Sequence, residues 1–262
     1  MRTTLLITTY NWPKALDTTL KSVDNQTIKP TEIIIADDGS SEETQKLINA
    51  WQIKSKTPII HSWQEDIGFR AAASRNKAIA KASGEYIIMI DGDLVLHPNF
   101  IENHLKHCKS NQFTIGPRVI LNEEYSKRLL LEKNIDFSIK SNQILANKKN
   151  TINNSLLSKI FSHITKSDKQ VRSCNMACFK NDLVKVNGFN EDFIGWGRED
   201  TELVVRLLNK NINRKNIKFN ANTLHIFHNE NNKKMLSIND AILKNTIMEK
   251  LTRCTNGLDK YL

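Results

Sequence analysis

The sequence predicts an α/β fold built on a doubly wound, mainly parallel sheet of the Rossmann-like type. Over roughly the first hundred residues, short apolar runs rich in β-branched residues alternate with segments whose apolar residues recur at helical spacing. Such alternation favours a parallel sheet with helices on both faces. Two of the apolar runs end in aspartates, and in sheets of this type ligands bind beyond the carboxyl ends of the strands. The 262 residues are enough for one large domain of this class, with or without an extension.

Four strands and three helices are predicted in this first part of the chain. The predicted strands are residues 3–9, 32–36, 58–62 and 86–90. The predicted helices are residues 12–25, 42–51 and 69–83. Ser41 stands where a helix N-cap is expected and Gly84 where a C-cap is expected, which marks one end of the second and third helices.

The pattern beyond this part is less regular. Residues 121–170 are rich in Asn, Lys, Ser and Leu and contain no glycine or proline, which fits either helices or a mobile excursion. Residues 200–208 and 238–251 are predicted helices because their apolar residues fall at helical spacing. The second of these helices also carries lysines. It either packs on the domain as an ordinary helix or rests on an anionic lipid surface.

The net charge of +10 fits three kinds of partner: nucleic acid, an anionic membrane surface, or a phosphate-rich small substrate. The basic residues are scattered, and no arginine-rich arm, zinc-finger spacing or RNA-binding aromatic motif is present, so no nucleic-acid partner is expected. The four cysteines are expected to be free thiols. No secretory signal and no apolar run of about 18 residues are present, which predicts a cytoplasmic protein, with peripheral contact with the inner face of the cell membrane left open.

The segment Asp91-Gly92-Asp93 follows a predicted strand directly. Two carboxylates separated by a glycine can both reach one hard divalent cation. Such a cation can neutralise a diphosphate leaving group. The alternative is a polar turn that only closes the strand.

Asp37 and Asp38 close an earlier strand in the same way. They either begin the turn before the next helix or hold a base imide or a ribose hydroxyl. Arg70 and Arg75 lie five residues apart on the third predicted helix. Arginine suits contacts with phosphates or bases, although both side chains could simply face solvent.

The segment Gly195-Trp196-Gly197-Arg198-Glu199-Asp200 is unusual for a core element. A tryptophan between glycines suits a loop that presents a flat surface to a sugar. The adjacent carboxylates of Glu199 and Asp200 could supply a general base and a hydroxyl anchor. The alternative is a buried tryptophan followed by acidic residues that stabilise a helix N-terminus.

His225 and His228 are three residues apart. On a continuous strand their side chains would point to opposite faces, so at most one of them is expected to bind a metal ion. A neutral imidazole could complete the coordination that Asp93 begins.

Together these residues resemble the family 2 type glycosyltransferases of the GT-A fold. The C-terminal part is similar to β-1,4-galactosyltransferases, polypeptide N-acetylgalactosaminyltransferases and bacterial chondroitin polymerases. The matching segments, in the family's order, are Thr8-Thr9-Tyr10-Asn11, Asp37-Asp38-Gly39-Ser40, Gly68-Phe69-Arg70-Ala71-Ala72 with Arg75-Asn76, Asp91-Gly92-Asp93, Asn175-Met176, Gly188-Phe189-Asn190-Glu191 and Gly195-Trp196-Gly197-Arg198-Glu199-Asp200. The chain departs from the family at Ser173-Cys174, where a glycine pair often precedes the asparagine.

The resemblance implies a role for each matching residue. The residues that match the donor's uridine and diphosphate site are Thr9, Tyr10, Asp38 and Arg75, with Asp37 and Arg70 nearby and Asn175 close to the donor's hexose. Asp91 and Asp93 match the motif that binds the metal and the ribose-diphosphate. His228 matches the later metal histidine better than His225, because Asn229-Glu230 follows it. Trp196 matches the aromatic residue between the donor and acceptor sugars. Glu199 and Asp200 match the acceptor-binding pair, in which the second acid is the base.

The predicted function is therefore inverting transfer of a hexose or N-acetylhexosamine from a UDP-sugar to a glycan or glycolipid acceptor, with Mn²⁺ or Mg²⁺. The resemblance places this activity in bacterial surface polysaccharide or lipooligosaccharide synthesis. Residues 1–105 are expected to form the nucleotide-sugar-binding half. Residues 106–236 form the acceptor-binding and catalytic half, with 121–170 as a variable insertion, and residues 237–262 form the C-terminal helix.

Three other functions were weighed against this one. A non-catalytic nucleotide-sugar or glycan binding module would not need the acidic residues retained here. A retaining transferase of the same fold is the second alternative. A nucleotidyltransferase should carry a glycine-rich phosphate loop near the first strand, which Thr8-Thr9-Tyr10-Asn11 does not resemble.

Overall fold

The protein is described by a computed structural model that covers residues 1–132, 135, 137–229 and 232–262. The first part contains β1 (Thr3–Thr9), α1 (Pro13–Asp24), β2 (Glu32–Asp37), α2 (Glu42–Lys54), β3 (Ile59–Trp63), α3 (Ala71–Lys81) and β4 (Tyr86–Asp91). All of the elements predicted for this part are present, and their ends differ from the predicted ones by at most 3 residues.

The second part contains β5 (Leu94–Leu96), α4 (Phe100–His107), β6 (Gln112–Ile115), β7 (Arg118–Leu121), α5 (Glu123–Glu132), β8 (Ile144–Ala146), α6 (Ser155–Phe161), β9 (His163–Thr165), β10 (Asn175–Phe179), α7 (Lys180–Lys185), α8 (Glu199–Asn209), β11 (Asn213–Asn216), β12 (Thr223–His225) and α9 (Leu236–Met248). Three short 3₁₀ helices cover Ser141–Gln143, Lys148–Thr151 and Leu258–Tyr261.

The main sheet has eight strands in the order β3-β2-β1-β4-β10-β6-β11-β9. Its first four strands are parallel, as expected for a doubly wound sheet, and β10 then pairs antiparallel with β4. The register places Thr9 opposite Asp37 and Thr8 opposite Asp91, so the two acidic strand ends lie on either side of the end of β1. The antiparallel β10 begins at this same edge, because Asn175 lies opposite Ile90.

Both faces of the main sheet are buried at the central strands β1, β2, β4 and β10, which explains why these strands are mostly apolar on both sides. On one face Leu5 and Ile7 pack with apolar residues of α1, α2 and α4. On the other face Leu6 packs with apolar residues of α3, α7 and α8. Because successive side chains of a strand alternate between the faces, the single run in β1 supplies both cores.

A smaller sheet, in the order β5-β12-β7-β8, lies beside the main one. Its strand β12 runs antiparallel to β5, with His225 opposite Leu94. This pairing brings the end of β12 next to Asp93, which immediately precedes β5. The pairing is long-range in sequence and no local pattern predicts it.

Residues 121–170 contain α5 and α6, in agreement with one of the two alternatives stated for this segment. The segment also contributes β8 to the smaller sheet and β9 to the edge of the main sheet. These short strands were not predicted, because three-residue strands give almost no periodic signal.

The helix α8 carries a buried ion pair that links it to two neighbouring elements. Arg206 is 0% exposed, and its Nε and Nη2 donate to the carboxylate of Glu202 at 2.8 and 2.7 Å. Its Nη groups also donate to the carbonyls of Val186 and Gly188, just after α7. On the α9 side, the hydroxyl of Thr246 donates to Glu202 at 3.1 Å. The pair therefore fixes α8 against both the α7 region and α9.

The helix α9 packs against α8, and its buried Asn239 donates to the carbonyls of Ile194 and Gly197 in the loop before α8. Its exposed apolar residues Ile238, Ile247 and Met248 lie on different sides of the helix, because about 100° separates consecutive residues. No single apolar face is left for a lipid surface, which favours the ordinary packed helix among the two alternatives. None of the helices within the described ranges is both long and apolar enough to cross a bilayer.

Replacement of Arg206 by alanine should destabilise the fold strongly. The substitution leaves the Glu202 carboxylate buried without its cation, a change that typically costs about 3–5 kcal/mol. Urea unfolding followed by circular dichroism measures the difference in the free energy of unfolding. Lys210→Ala removes an exposed positive charge at the end of the same helix and should change that free energy by less than about 0.5 kcal/mol. Equal effects of the two substitutions would contradict this account of α8.

Candidate functional site

Gly92 brings the acidic turn after β4 against the end of β1. Its backbone N–H donates to the carbonyl of Thr8 at 2.8 Å, and a Cβ atom at this position would lie only 3.1 Å from that oxygen. The close approach leaves no comfortable space for a side chain. The two flanking aspartates then contact different groups: Asp91 lies beside Arg75, and Asp93 lies beside two histidines.

Asp93, His225 and His228 form a group whose potential ligand atoms lie within 4.8 Å of one another. The Asp93 Oδ2 atom is 3.4 Å from Nε2 of His225 and 3.3 Å from Nε2 of His228. The prediction that at most one of these histidines could be a ligand was wrong about the geometry. It assumed a continuous strand, but β12 ends at His225, and the chain beyond it returns His228 to the same side. Glu230, which entered the comparison of the two histidines, lies outside the described residues.

The chemistry of this group fits a divalent cation. Asp93 Oδ1 and His225 Nδ1 are buried, and neither has a hydrogen-bond partner within the described part of the chain. Nδ1 of His228 donates to the carbonyl of Asn229 at 2.7 Å, so Nε2 is the ring nitrogen that faces Asp93 and that could bind a cation once it has lost its proton. The hydrogen bond with Asp93 raises the pKa of His228 to about 9, although burial opposes the shift. A cation held by these three side chains would replace that proton.

Arg75 is the centre of the neighbouring charged cluster. The residue is 5% exposed, and its Nη2 lies 3.4 Å from Asp91 while its Nη1 lies 3.5 Å from Glu199 and 3.8 Å from Asp200. Its Nε donates to the hydroxyl of Thr8 at 3.2 Å. Burial alone would lower the pKa of Arg75, but the three carboxylates outweigh it and raise that pKa. The predicted role of Arg75 was contact with the donor's uridine and diphosphate only. Its contacts with Glu199 and Asp200 were not predicted, because these residues lie more than 120 positions further along the chain.

The carboxyl groups around Arg75 are held at unusually high pKa values. Burial raises the pKa of Asp91 to about 6, with repulsion from Asp93 and Asp200 adding to the shift and Arg75 opposing it. Burial also raises the pKa of Glu199 to about 7, and the adjacent Asp200 adds to the shift. Perturbed acids gathered in one cleft are typical of catalytic sites.

Asp200 has two carboxylate oxygens with different surroundings, and Oδ1 is the buried oxygen that lies 3.8 Å from Nη1 of Arg75. Its Oδ2 accepts a hydrogen bond from the backbone N–H of Ser173 at 3.0 Å, whereas Oδ1 has no hydrogen-bond partner in the residues that the structure describes. Glu199 and Asp200 are the first residues of α8, where the free N–H groups of the helix favour negative charge. Arg198 precedes them with φ of 79°, which turns the chain sharply into the helix.

The residues predicted to hold the nucleoside gather at the ends of β1 and β2. Asp38 accepts hydrogen bonds from the backbone N–H of Arg70 at 2.8 Å and from Gln64 at 2.6 Å. The side chain of Asp37 is buried and bonds with the Ser40 N–H and with His61, each at 2.8 Å.

Thr9 and Tyr10 complete this end of the site. The backbone carbonyl of Thr9 accepts from the N–H of Asp38 at 3.1 Å. Tyr10 is 51% exposed, and its hydroxyl donates to Asp66 at 2.8 Å. Ser40 and Arg70 belong to the motifs found in the sequence, whereas Asp66, His61 and Gln64 belong to none of them and were not predicted.

The Trp196 loop is held by the beginning of α9. Gly195 and Gly197 have φ of 73° and 107°, so both occupy backbone conformations that favour glycine. A Cβ atom on Gly195 would lie 2.8 Å from the side chain of Met235. The amide of Asn239 donates to the carbonyl of Gly197 at 2.9 Å. The C-terminal helix therefore positions the tryptophan.

A cleft of about 830 Å³ opens next to this loop. Trp196, Glu199, Asp200 and Asn175 line it, so the structure brings these predicted site residues together. The Asn175 amide is already bonded within the protein: it donates to the carbonyls of Pro117 and Ala221 at 2.9 Å each and accepts from Nε2 of His104 at 2.9 Å. Several cationic residues that belong to none of the sequence motifs also line the cleft. They are Arg118, Arg172, Arg214 and Lys218.

Two protein-family models match this chain. The model of glycosyl transferase family 2 matches residues 4–184, and that of the N-terminal domain of galactosyltransferase matches residues 158–229. The chain belongs to glycosyl transferase family 2. The expected family is therefore confirmed, including the similarity of the C-terminal part to galactosyltransferases.

Two similar proteins are named as synthases of a polysaccharide. The chain is 30% identical over 219 residues to hyaluronan synthase of Pasteurella multocida, a match that covers 78% of this chain and 22% of that protein. It is 29% identical over 225 residues to chondroitin synthase of Escherichia coli, covering 78% of this chain and 32% of that protein. This family 2 chain thus spans between about a fifth and a third of the length of these relatives.

Solved structures confirm the GT-A type of α/β fold. The structure of S. aureus TarS residues 1–349 matches with a TM-score of 0.65 at 12% identity, covering 100% of this chain and 68% of that chain. The same fragment in complex with UDP matches with a TM-score of 0.65 at 13% identity. At this identity the similarity concerns the fold.

Replacement of Glu199 by glutamine should stabilise this family 2 chain at high pH. The pKa of about 7 in the folded chain lies above the ordinary 4.5, so the folded state favours the proton. The carboxylate therefore destabilises the fold above pH 7, and the cost disappears as the pH falls from 7 towards 4.5. We expect Glu199→Gln to raise the melting temperature by roughly 3–6 °C at pH 8, which corresponds to roughly 1–2 kcal/mol.

The same comparison at pH 4.5 should show almost no difference between the variant and the original protein. Glu43→Gln, a change at an exposed position in the first turn of α2, serves as the control and should give the same small effect at both pH values. Scanning calorimetry measures all three proteins. If Glu199→Gln raises the melting temperature equally at both pH values, ionisation of Glu199 does not destabilise the folded protein and the prediction is wrong.

Proposed function

We propose that the chain is a metal-dependent inverting glycosyltransferase. In this proposal it moves a hexose or N-acetylhexosamine from a UDP-sugar to a hydroxyl group of a glycan or glycolipid acceptor. The observation that carries the proposal is the joint placement of two groups: the potential metal ligands Asp93, His225 and His228, and the acids around Arg75. The first group suits a donor diphosphate, and the second opens on the cleft next to it.

The donor set favours Mn²⁺ over Mg²⁺ as the cation. Mg²⁺ prefers oxygen ligands and keeps several waters, whereas imidazole nitrogens bind later divalent metals well. Three protein ligands would leave coordination positions for the oxygens of a diphosphate. When bound, the cation would offset the negative charge that develops on the departing UDP.

Asp200 is proposed as the general base that removes the proton of the acceptor hydroxyl. Its Oδ1 has no hydrogen-bond donor in the described residues, while its Oδ2 is fixed by Ser173. Its carboxylate is 3.8 Å from Arg75, close enough for the guanidinium to hold it in the cleft. An inverting displacement requires this base on the face of the sugar opposite the leaving diphosphate. The hydroxyl oxygen then bonds to the anomeric carbon as the bond to UDP breaks.

Glu199 is proposed as the anchor of a sugar hydroxyl. A carboxyl group with a pKa of about 7 can both donate and accept a hydrogen bond near neutral pH. The same pKa would suit a general base. For this reason the two acids are distinguished by paired substitutions rather than by pKa.

The donor is proposed to be a UDP-sugar bound along the carboxyl edge of the main sheet. The uridine would lie near Thr9, Tyr10 and Asp38, and Trp196 would border the transferred sugar. The UDP complex of the similarly folded S. aureus protein supports a uridine nucleotide. Asp91 and Arg75 lie between these two regions and would contact the ribose-diphosphate part.

The proposed role is in bacterial surface polysaccharide or lipooligosaccharide synthesis, and the relatives named as hyaluronan and chondroitin synthases support the synthesis of a polysaccharide. A cytoplasmic setting follows from that role, because UDP-sugars are made there. Peripheral contact with an anionic membrane stays a prediction. A non-catalytic sugar-binding module is the competing function, and it would bind the same ligands without turnover.

Removal of the metal should abolish tight UDP binding. Isothermal titration with UDP should show Mn²⁺-dependent binding that is lost in EDTA, because the diphosphate then lacks its counter-charge. Asp93→Ala, His225→Ala and His228→Ala should each weaken binding in Mn²⁺ by at least roughly tenfold, and Asp93→Ala should abolish transfer. His163→Ala, at an exposed position away from the site, is the control. Unchanged UDP binding in EDTA would defeat the metal-dependent mechanism.

Asp200→Asn should lower the rate of transfer far more than the affinity for the UDP-sugar. The substitution keeps the shape of the side chain and removes its basicity, so kcat should fall by about 10²–10⁴-fold while UDP-sugar affinity stays nearly unchanged. Glu199→Gln should act mainly on acceptor KM. Release of UDP measures the rate, and titration measures the affinity. If Glu199→Gln loses kcat and Asp200→Asn does not, the two roles are reversed, and if both retain kcat, the chain is a binding module or uses another base.

A further inference from the structure

The cleft beside Asp200 has an excess of positive charge. Its walls carry six cationic residues and two carboxylates, and those carboxylates belong to Glu199 and Asp200, which already face Arg75. The six cationic residues are Arg118, Arg172, Arg198, Arg214, Lys218 and Lys233. The other polar lining residues are neutral and are mostly asparagines.

Several of these cations have no carboxylate partner within the described ranges. Arg198 and Lys233 are not among them: Arg198 pairs with Asp240, and the ammonium of Lys233 lies over the ring of Trp196. Arg118 donates to the sulfur of Cys174 at 3.5 Å. In the part of the chain that the structure describes, the side chains of Arg172 and Lys218 make neither a hydrogen bond nor an ion pair, and both residues are exposed. The charge of the cleft is therefore not neutralised by the protein around it.

Arg214 is the buried cation of this cleft, and it has no direct carboxylate partner in the described part of the chain. The residue is 5% exposed, and its Nη groups are held by the carbonyls of Ser167 and Lys169 and by the side chain of Asn216. Its Nε is buried and has no hydrogen-bond partner among the described residues. Burial also lowers the pKa of Arg214. The charge of Asp168 opposes this shift, but within the described ranges Arg214 makes no direct ion pair, and its direct hydrogen-bond partners are all neutral. A buried cation without a direct anionic partner is costly unless an anion approaches it.

The two ends of the cleft differ in what lies near them. Arg118 lies on β7, which pairs with β12, and it is opposite Thr223, two residues before the potential metal ligand His225. Arg214 on β11 and Lys218 just after that strand line the same cleft. In the main sheet, β10 and β6 separate β11 from β4, the strand that ends at Asp91. A cation there is poorly placed for the donor's phosphates.

We propose that the β11 end of the cleft, formed by Arg214 and Lys218, binds an anionic group carried by the acceptor glycan, either a carboxylate or a phosphate. This inference rests on the proposed transferase function, since it assigns the acceptor to the cleft that contains Asp200. The anion would accept hydrogen bonds from the Arg214 guanidinium and the Lys218 ammonium while a neighbouring sugar hydroxyl lies at Asp200. A neutral glycan would leave the buried guanidinium without a direct anionic partner, with only the more distant charge of Asp168 near it.

Binding of matched oligosaccharides tests the proposal directly. The probes are a tetrasaccharide that contains glucuronate, the same tetrasaccharide with its carboxyl groups reduced to neutral alcohols, and a disaccharide that ends in a hexose 6-phosphate. Titration at low salt, in the presence of Mn²⁺ and UDP, should show that at least one anionic probe binds roughly tenfold more tightly than the neutral one. The preferred anionic probe identifies carboxylate or phosphate, and added salt should weaken its binding.

Substitutions locate the anion in the cleft. Lys218→Gln changes an exposed position that should not disturb folding, and it should reduce the preference for the anionic probe by roughly three- to tenfold. Arg214→Gln should reduce it further. Lys210→Gln removes an equivalent exposed charge outside the cleft and should leave the preference unchanged. UDP affinity in Mn²⁺ is measured on the same samples and should stay constant in all three variants.

Two results would overturn the proposal. One is equal binding of the neutral and both anionic probes. The other is a loss of UDP affinity in Lys218→Gln as large as the loss of glycan affinity, because these cations would then serve the donor. A preference for anionic glycans in a protein that does not bind UDP at all would keep this site and reject the proposed transferase function.

Discussion

One buried guanidinium connects the two parts of this protein. Arg75 lies on α3, in the region that the sequence assigns to the nucleotide, yet it faces Glu199 and Asp200 at the start of α8 as well as Asp91 at the end of β4. One of these carboxylates is buried and the other two are partly buried, and their mutual repulsion would be costly without a cation between them. The geometry of the cleft therefore depends on this residue, whatever ligand occupies it.

The same cluster explains the chemistry available to the site. The Arg75 charge does not cancel the cost of burial for its neighbours, so the pKa values of Asp91 and Glu199 remain near neutrality. Acids in this range can exchange protons at physiological pH. Asp93 lies on the other side of Gly92 and is committed to two histidines instead. One glycine thus separates an acid of the Arg75 cluster from an acid of the potential metal site.

The C-terminal helix contributes to the site indirectly. Asn239 of α9 holds the carbonyl of Gly197, and Thr246 of the same helix bonds to the buried pair of Glu202 and Arg206 in α8. These contacts fix both the loop that carries Trp196 and the helix that begins with Glu199. A helix for which the sequence left open either ordinary packing or contact with a lipid surface therefore supports the cleft.

The sequence by itself determined the family, the parallel half of the sheet and most of the candidate site, because these depend on local signals: apolar periodicity, strand-end acids and short motifs in a fixed order. Tertiary structure decided the rest. The convergence of His225 and His228 depends on where β12 ends, and the role of Arg75 depends on contacts with residues more than 120 positions away. The cationic wall around Arg214 comes from separate strands and loops, so no window of sequence contains it. Long-range pairing of elements creates these arrangements, and local spacing carries no information about it.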